Sequence, residues 1–327
     1  MAKKIKNIGV FTSGGDAPGM NACIRAIVRT GIYEGANMFG IYRGYDGMID
    51  GEITPMDSKS VSNIIQRGGT ILKSARSERF MSEAGRKKAA AQLRKHKIDG
   101  IVAIGGNGTF TGAEIFLKEH HIPFIGIPGT IDNDLYGTDF TLGFDTAVNT
   151  AMQAIDKIRD TADSHNRLFF IEVMGRDAGF IATWSGLASG AEAILVPETK
   201  TYMEDLIQKL ETGWKRQKTS SIIIVAEGDD AGGAYEIAKK VKEKFSHYEI
   251  KVSILGHMQR GGSPTCFDRV LGGRLGAAAV QALLQGRQNE MAGMVNGKVK
   301  FTPFSKAIRH KLEIQKDLLA LGDILAS

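Results

Sequence analysis

Cysteine is scarce in this chain of 327 residues: Cys23 and Cys266 lie far apart and show no metal-ligand spacing. A reducing compartment is the natural expectation. Long apolar runs are missing as well, since no segment approaches the roughly 18 residues that a membrane span needs. The opening MAKKIKNIGVF is basic and then briefly apolar. Its apolar run is too short for a signal segment and leads straight into a glycine loop, so it reads as a first strand of a soluble, cytoplasmic protein. The net charge is +6. Lysine and arginine are dispersed, however, with no arginine-rich arm and no RNA-reading aromatic motif, so the charge favours small anionic substrates over nucleic acid. No long Pro/Ser linker divides the chain and no repeat of fixed period is evident.

What the chain does have is a 43% hydrophobic composition, enough for sizeable cores, and 40 glycines gathered in short pairs such as Gly14-Gly15, Gly105-Gly106 and Gly261-Gly262. Such pairs suggest tight loops where backbone approaches a ligand. Short Ile/Val-rich runs recur: Ile5 to Phe11, Met38 to Tyr42, Ile98 to Ile104, Phe124 to Ile127, Leu168 to Met174, Ala193 to Val196, Ile222 to Ala226 and Val252 to Leu255. They alternate with helical patterns, the signature of parallel α/β sheets. Many end in polar or glycine-bearing loops, where open α/β sheets bind ligands. A boundary is expected near residue 143, with recrossing near 255 and 303. That gives a larger domain of residues 1–143 plus 256–302 and a smaller one of 144–255 plus 303–327.

Three loops carry candidate phosphate chemistry. TSGGDAPGMN follows the first run, with glycines that free backbone N–H groups and Pro18 suited to the first turn of a helix. IGGNGTF, from Ile104 to Phe110, precedes a helix expected near Thr109. It matches neither the P-loop nor the dinucleotide motif, yet two such loops can hold a polyphosphate by backbone contacts. PGTIDND, from Pro128 to Asp134, presents Asp132 and Asp134, which suit a general base or magnesium. Cations accompany them: Arg176 in VMGRDAG, His257 and Arg260 in GHMQRGGSP, and Arg167 and Lys251, which precede strands at the opposite ends. A transferring phosphoryl group needs such positive charge.

Together TSGGDAPGMN, PGTIDND, GTDFTLGFDTA, EVMGR and GHMQRGGSP resemble the bacterial-type ATP-dependent 6-phosphofructokinase family, from about Ile5 through Gly286. The resemblance implies two Rossmann-like three-layer α/β/α domains with mainly parallel sheets, the larger binding ATP and the smaller fructose 6-phosphate. It implies a cytoplasmic, glycolytic kinase, usually a homotetramer, that transfers the γ-phosphate of MgATP to O1 of fructose 6-phosphate. By motif, Asp132 would be the base, with Thr130 and Asp134 beside it and Arg176 stabilising the transferring group. ATP would lie on Gly15, Arg76, Ser77, Gly106, Asn107, Gly108 and Thr109. The sugar phosphate would meet Thr130, Asp132, Met174, Gly175, Arg176, Glu227, His257 and Arg260, with Arg167 and Lys251 reaching it from a neighbouring subunit.

The resemblance further implies that glycine at 108 and 129 marks ATP users, a side chain at either place intruding on the nucleotide. An ADP or phosphoenolpyruvate effector site is implied at Arg25, Arg29, Arg159 and Glu192, with Gly51 near where another effector arginine is expected. Asn107 stands where the family has a magnesium-associated aspartate, offering an amide oxygen and no charge, and Lys251 replaces an arginine. Asn107 raises the alternative of a catalytically impaired sugar-phosphate-binding or regulatory paralogue, and a pyrophosphate-dependent variant is a further, less favoured one. An NAD or lipid kinase, in which GGDGT also appears, would leave EVMGR and GHMQRGGSP without a reason.

Overall fold

A computed structural model of the protein describes residues 5–164, 167–216, 221–245 and 249–326. Residues 1–4 of the opening segment lie outside them. The first half runs β1 (Asn7–Thr12), α1 (Met20–Tyr33), β2 (Asn37–Ile41), α2 (Gly44–Asp50), β3 (Ile53–Met56), α3 (Glu83–Lys95), β4 (Gly100–Gly105), α4 (Asn107–His120), β5 (Phe124–Pro128) and α5 (Phe144–Asp163). The second runs β6 (Arg167–Val173), α6 (Phe180–Ala188), β7 (Ala193–Leu195), α7 (Met203–Lys215), β8 (Ser221–Ala226), α8 (Ala234–Lys244), β9 (Glu249–Ile254), α9 (Cys266–Leu284), β10 (Glu290–Val295), β11 (Lys298–Pro303), α10 (Phe304–Arg309) and α11 (Lys316–Ala326).

Two compact units result. Unit one is Met1–Ile131, Leu135–Thr146 and Arg260–Leu312, and unit two is Asp132–Asp134, Ala147–Gln259 and Glu313–Ser327. The chain leaves unit one within α5 rather than ahead of it. It does not recross at 303, because β11 pairs with β10 along its whole length and Phe304 at the start of α10 stacks on Phe110.

Unit one holds a seven-stranded sheet in the order β11-β10-β5-β4-β1-β2-β3. Its central strands are parallel, and β3 and β11 add antiparallel edges. All six residues of β4 and all five of β5 are buried, as expected of strands covered on both faces. One face packs on α2, α3, α4 and α10 through Phe11, Tyr45, Phe80, Phe110, Phe116 and Phe124. Tyr45 stacks on Phe80 at 3.8 Å between centroids, and Phe110 on Phe304 at 5.0 Å. Each fully buried ring contributes about 2 kcal/mol. Gly126 in β5 lets these last two rings reach the sheet: a Cβ there would sit 2.4 Å from Phe110. α1 and α9 cover the other face with buried Met20, Ile24, Ile27, Leu275 and Leu283.

Unit two has an all-parallel sheet in the order β7-β8-β6-β9. α6 and α11 lie on one side and α7 and α8 on the other. In both units the strand order reverses beside a central strand, between β1 and β4 in unit one and between β6 and β9 in unit two. The loops after those strands lie at the place where doubly wound sheets take ligands. Among the described residues no helix is long and apolar enough to cross a membrane.

Candidate active site

The three sequence-predicted loops leave β1, β4 and β5 of unit one side by side, and their first residues are tied by backbone. Ser13 N–H donates to the Ile104 carbonyl at 3.0 Å, and Gly129 N–H to the Gly105 carbonyl at 3.0 Å. Gly14 takes φ of +86°, a conformation open to glycine, and turns the first loop. Pro18 lies outside α1, before Gly19, so it shapes the entry rather than the first turn. Arg260 lies over the exposed Gly15: its Nη1 donates to the Asp16 carbonyl at 3.3 Å and would be 2.7 Å from a Cβ at Gly15. A predicted sugar-phosphate residue therefore reaches the loop that carries a predicted nucleotide residue.

α4 begins at Asn107 rather than near Thr109, so Asn107, Gly108 and Thr109 form its first turn. Gly106 stands ahead of the helix with no side-chain cap. Asn107 and Gly108 are exposed, and a Cβ at Gly106 or Gly108 would meet nothing within 4 Å. An uncapped, open helix start presents N–H groups and the positive end of the helix dipole to an anion. Thr109 faces inward, buried, and Tyr45 Oη donates to its carbonyl at 2.6 Å. Gly129 differs from Gly108: a Cβ there would be 2.8 Å from Ile104 Cγ2 and 3.3 Å from Gly105 N. A side chain at 129 is excluded by the packed interior, not by the path of a ligand.

Arg76, exposed, and Ser77, whose hydroxyl donates to Asp46, ride on a loop braced by ion pairs. Arg79 grips Asp50 with two bonds of 2.9 Å, and Arg43 joins Asp50 at 3.0 Å and Glu52 at 2.7 Å. The Arg79 guanidinium, with Arg43 behind it, holds the Asp50 carboxyl down at about 2.

The PGTIDND loop is fixed at its start. Leu142 N–H donates to the Pro128 carbonyl at 2.8 Å and the Thr141 hydroxyl to the Thr130 carbonyl at 2.6 Å. Asp132 and Asp134 are half-buried, and Asn133 between them is buried with φ of +52°. A left-handed asparagine turns the two flanking carboxylates away from a regular extended course.

In unit two Met174, Gly175 and Arg176 follow β6. Arg176 is exposed with φ of +58°, a strained setting for a long side chain, and its N–H donates to Glu227 Oε1 at 2.5 Å. Met174 N–H donates to Gln259 Oε1 at 3.3 Å, and Gln259 Nε2 to the Gly256 carbonyl at 3.1 Å. The fully buried Gln259 thus joins the loop after β6 to the short 3-10 helix Gly256–Arg260 that presents exposed His257. Arg167 opens β6 and Lys251 is the third residue of β9, within the strand rather than ahead of it. Both pair with Glu249, at 2.8 Å and 2.7 Å, and the Arg167 guanidinium followed by the Lys251 ammonium lowers that carboxyl to about 2.

Of the effector candidates, Arg25 and Arg29 lie on α1, half-buried and exposed respectively. Arg159 donates to the carbonyls of Ser189 and Gly190. Glu192 lines a cavity of about 380 Å³ with Asp205, Gln208, Lys209 and Arg216.

No cluster of three His, Cys, Asp or Glu side chains able to hold a metal occurs among the described residues. The donor set instead fits a cation that arrives on phosphate oxygens, with the exposed Asn107 amide beside it, since magnesium keeps waters and needs only one or two protein oxygens. Sequence reasoning passed over Gln259, Glu249 and Tyr45, which act through long-range contacts. It also passed over Asp268, whose Thr265-x-x-Asp268 spacing is a helix-start signal.

Paired doubly wound sheets whose switch-point loops offer glycine N–H groups, a helix start and cations define a two-unit α/β protein for phosphorylated ligands. Residues 7–283 match the family model described as Phosphofructokinase, and the chain belongs to the phosphofructokinase family. It is 58% identical to the ATP-dependent 6-phosphofructokinase of Cytophaga hutchinsonii over 98% of both chains. It is 56% identical to ATP-dependent 6-phosphofructokinase 1 of Thermus thermophilus over 98% of this chain and all of that one. Among solved structures it resembles phosphofructokinase from Saccharomyces cerevisiae, with TM-score 0.88 and 32% identity. That match covers 98% of this chain and 48% of the yeast chain, so this chain spans about half its length.

Proposed function

We propose that the protein transfers the γ-phosphoryl group of ATP to O1 of fructose 6-phosphate, releasing fructose 1,6-bisphosphate and ADP. The observation that carries this reading is the trio of hydrogen-bonded loops after β1, β4 and β5, with the uncapped start of α4 among them. Unit one takes the nucleotide: Gly15, Gly106, Asn107, Gly108 and Thr109 cradle the phosphates, and Arg76 and Ser77 reach the rest. The open space at Gly108 supports ATP as the donor. Unit two takes the sugar phosphate, with Met174, Gly175 and Glu227 on the sugar and His257 on the 6-phosphate. Arg260 supplies a further cation to that phosphate.

Asp132 accepts the proton of the O1 hydroxyl as O1 attacks the γ-phosphorus, and the bond to the β-phosphate oxygen breaks to release ADP. Arg176 balances charge on the transferring group, and Thr130 and Asp134 orient the reacting atoms. Magnesium arriving with ATP would supply charge neutralisation to the phosphates, and the Asn107 amide oxygen would help to hold it. Arg167 and Lys251 complete the 6-phosphate site of a neighbouring subunit in a homotetramer. ADP or phosphoenolpyruvate acts at Arg25, Arg29, Arg159 and Glu192 between subunits, in a cytoplasmic glycolytic enzyme. Steady-state assays of fructose 6-phosphate with MgATP and with pyrophosphate test the reading. Turnover with MgATP alone is expected, whereas turnover with pyrophosphate alone or with neither donor overturns it.

A further inference from the structure

Asp268 on α9 is fully buried and accepts three hydrogen bonds. Oδ1 receives the Gly143 N–H at 2.8 Å, and Oδ2 receives the Thr146 N–H at 2.9 Å and the Thr146 hydroxyl at 2.5 Å. Thr265 caps α9 by accepting the Asp268 N–H at 3.3 Å, and its hydroxyl donates to Asp145 at 2.6 Å. The starts of α5 and α9 are thus held by each other's side chains.

The residues that Asp268 grips also hold the PGTIDND loop. Gly143 follows directly on Leu142 and Thr141, whose N–H and hydroxyl donate to the Pro128 and Thr130 carbonyls at 2.8 and 2.6 Å. Gly143, at φ of +100°, also lies against the first glycine loop, where a Cβ would come within 2.7 Å of Ala17 Cβ and 3.1 Å of Pro18. One carboxylate thereby governs a turn that touches two of the three loops, and Asp132 stands two residues beyond the Thr130 tether.

We infer that Asp268 is a positioning residue for phosphoryl transfer, setting the place of Thr130 and Asp132 through the turn at residues 141–143. The inference rests on the reading that those two residues do the chemistry. Chemical economy supports it. A buried carboxylate is expensive to keep, and burial pushes Asp268 up to about 6, with Asp145 of α5 adding to the rise against the three donors. A neutral residue would brace two helices at lower cost, whereas only a carboxylate accepts from Gly143 and twice from Thr146 at once.

The test compares kcat and KM for both substrates in Asp268→Asn, Asp268→Ala, Thr141→Val and the double variant Asp268→Asn with Thr141→Val. A loop displaced by about 1 Å costs on the order of a hundred-fold in rate. The single variants are therefore expected to lose about ten- to hundred-fold in kcat, with either KM changed by less than about three-fold. Asp268→Asn keeps one acceptor and should retain more kcat than Asp268→Ala. Because both substitutions release the same turn, the double variant should be no worse than the worse single, well short of the product of the two losses. Should Asp268→Ala fail to fold, Asp268→Asn and Thr141→Val carry the comparison.

Unchanged kcat in folded Asp268→Asn and Thr141→Val, or losses that multiply, would overturn the inference. Asp132→Asn, measured alongside, separates it from the reading beneath. If that variant keeps wild-type kcat, the base assignment fails. If it loses kcat while Asp268→Asn does not, only the positioning role fails.

Discussion

Replacing Asp268 by Asn should change how stability depends on pH, and the size of the change follows from the site. Burial raises the Asp268 carboxyl from 3.8 to about 6, opposed by the donors Thr146 and Gly143. Between those two values the folded chain binds a proton that the unfolded chain has released. The stabilisation is therefore fully present below about pH 4 and is lost as pH rises through about 6. A rise of about two units corresponds to roughly 3 kcal/mol. At an unfolding entropy of about 2 cal/mol/K per residue, that is on the order of 4 °C in Tm for a chain of this length.

Asn at 268 does not titrate, and it carries a constant cost for the N–H group that it leaves without an acceptor. The difference in Tm between wild type and variant isolates the titrating part from every other carboxylate. Differential scanning fluorimetry of both proteins from pH 4 to 7.5 should show wild type losing about 4 °C relative to the variant, most of it between pH 4.5 and 6.5. A difference that stays flat across that range would refute a raised carboxyl at this site.

Two other substitutions probe the cations and the metal side of the site. Asn107→Asp adds a charge at the exposed start of α4, and should lower the magnesium concentration for half-maximal rate by several-fold, with kcat at saturating magnesium changed by less than about three-fold. A magnesium titration that superimposes on wild type would contradict a cation beside residue 107. Glu249→Gln releases Arg167 and Lys251 from their shared partner. Because a phosphate must compete with that carboxylate for both cations, KM for fructose 6-phosphate should fall about two- to five-fold, while Tm, set by exposed pairs, moves by about 1 °C or less. An unchanged KM would show that the two cations do not meet the substrate.

Much of the fold was legible because parallel strands buried on both faces read as unbroken apolar runs. All eight runs proposed from the sequence coincide with strands, from β1 to β9 with the exception of β3. The three strands passed over lie at or beside the edges of the seven-stranded sheet. β3 is short and contains Pro55, and β10 and β11 form a hairpin whose Asn296-Gly297 turn takes φ of +50° and +72°. That dipeptide is a strong hairpin signal, and the sequence reading passed over it. The three candidate loops were legible for a related reason, since glycines and carboxylates directly after a buried run suit turning and binding.

What holds those loops was not legible. Asp268 lies more than 120 residues from the turn that it grips, Tyr45 lies 64 from Thr109, and Gln259 lies 85 from Met174. Nothing local marks such pairings, because the energy that selects them is the cost of leaving a buried N–H or carbonyl unpaired, and that cost exists only once the sheet is formed. The same reason separates Gly129 from Gly108. Both read as clearance for a ligand, but the Cβ position at 129 faces Ile104 and Met20 in the packed interior.

Asp132→Asn tests the central claim most directly. The substitution keeps size and shape in the PGTIDND loop but removes the carboxylate proposed to take the O1 proton. Loss of a general base typically costs about a hundred- to ten-thousand-fold in rate. Steady-state kinetics with MgATP and fructose 6-phosphate should therefore show kcat down by at least about a hundred-fold, with KM for ATP within about three-fold of wild type. A variant that turns over at more than about a third of the wild-type rate would contradict Asp132 as the base.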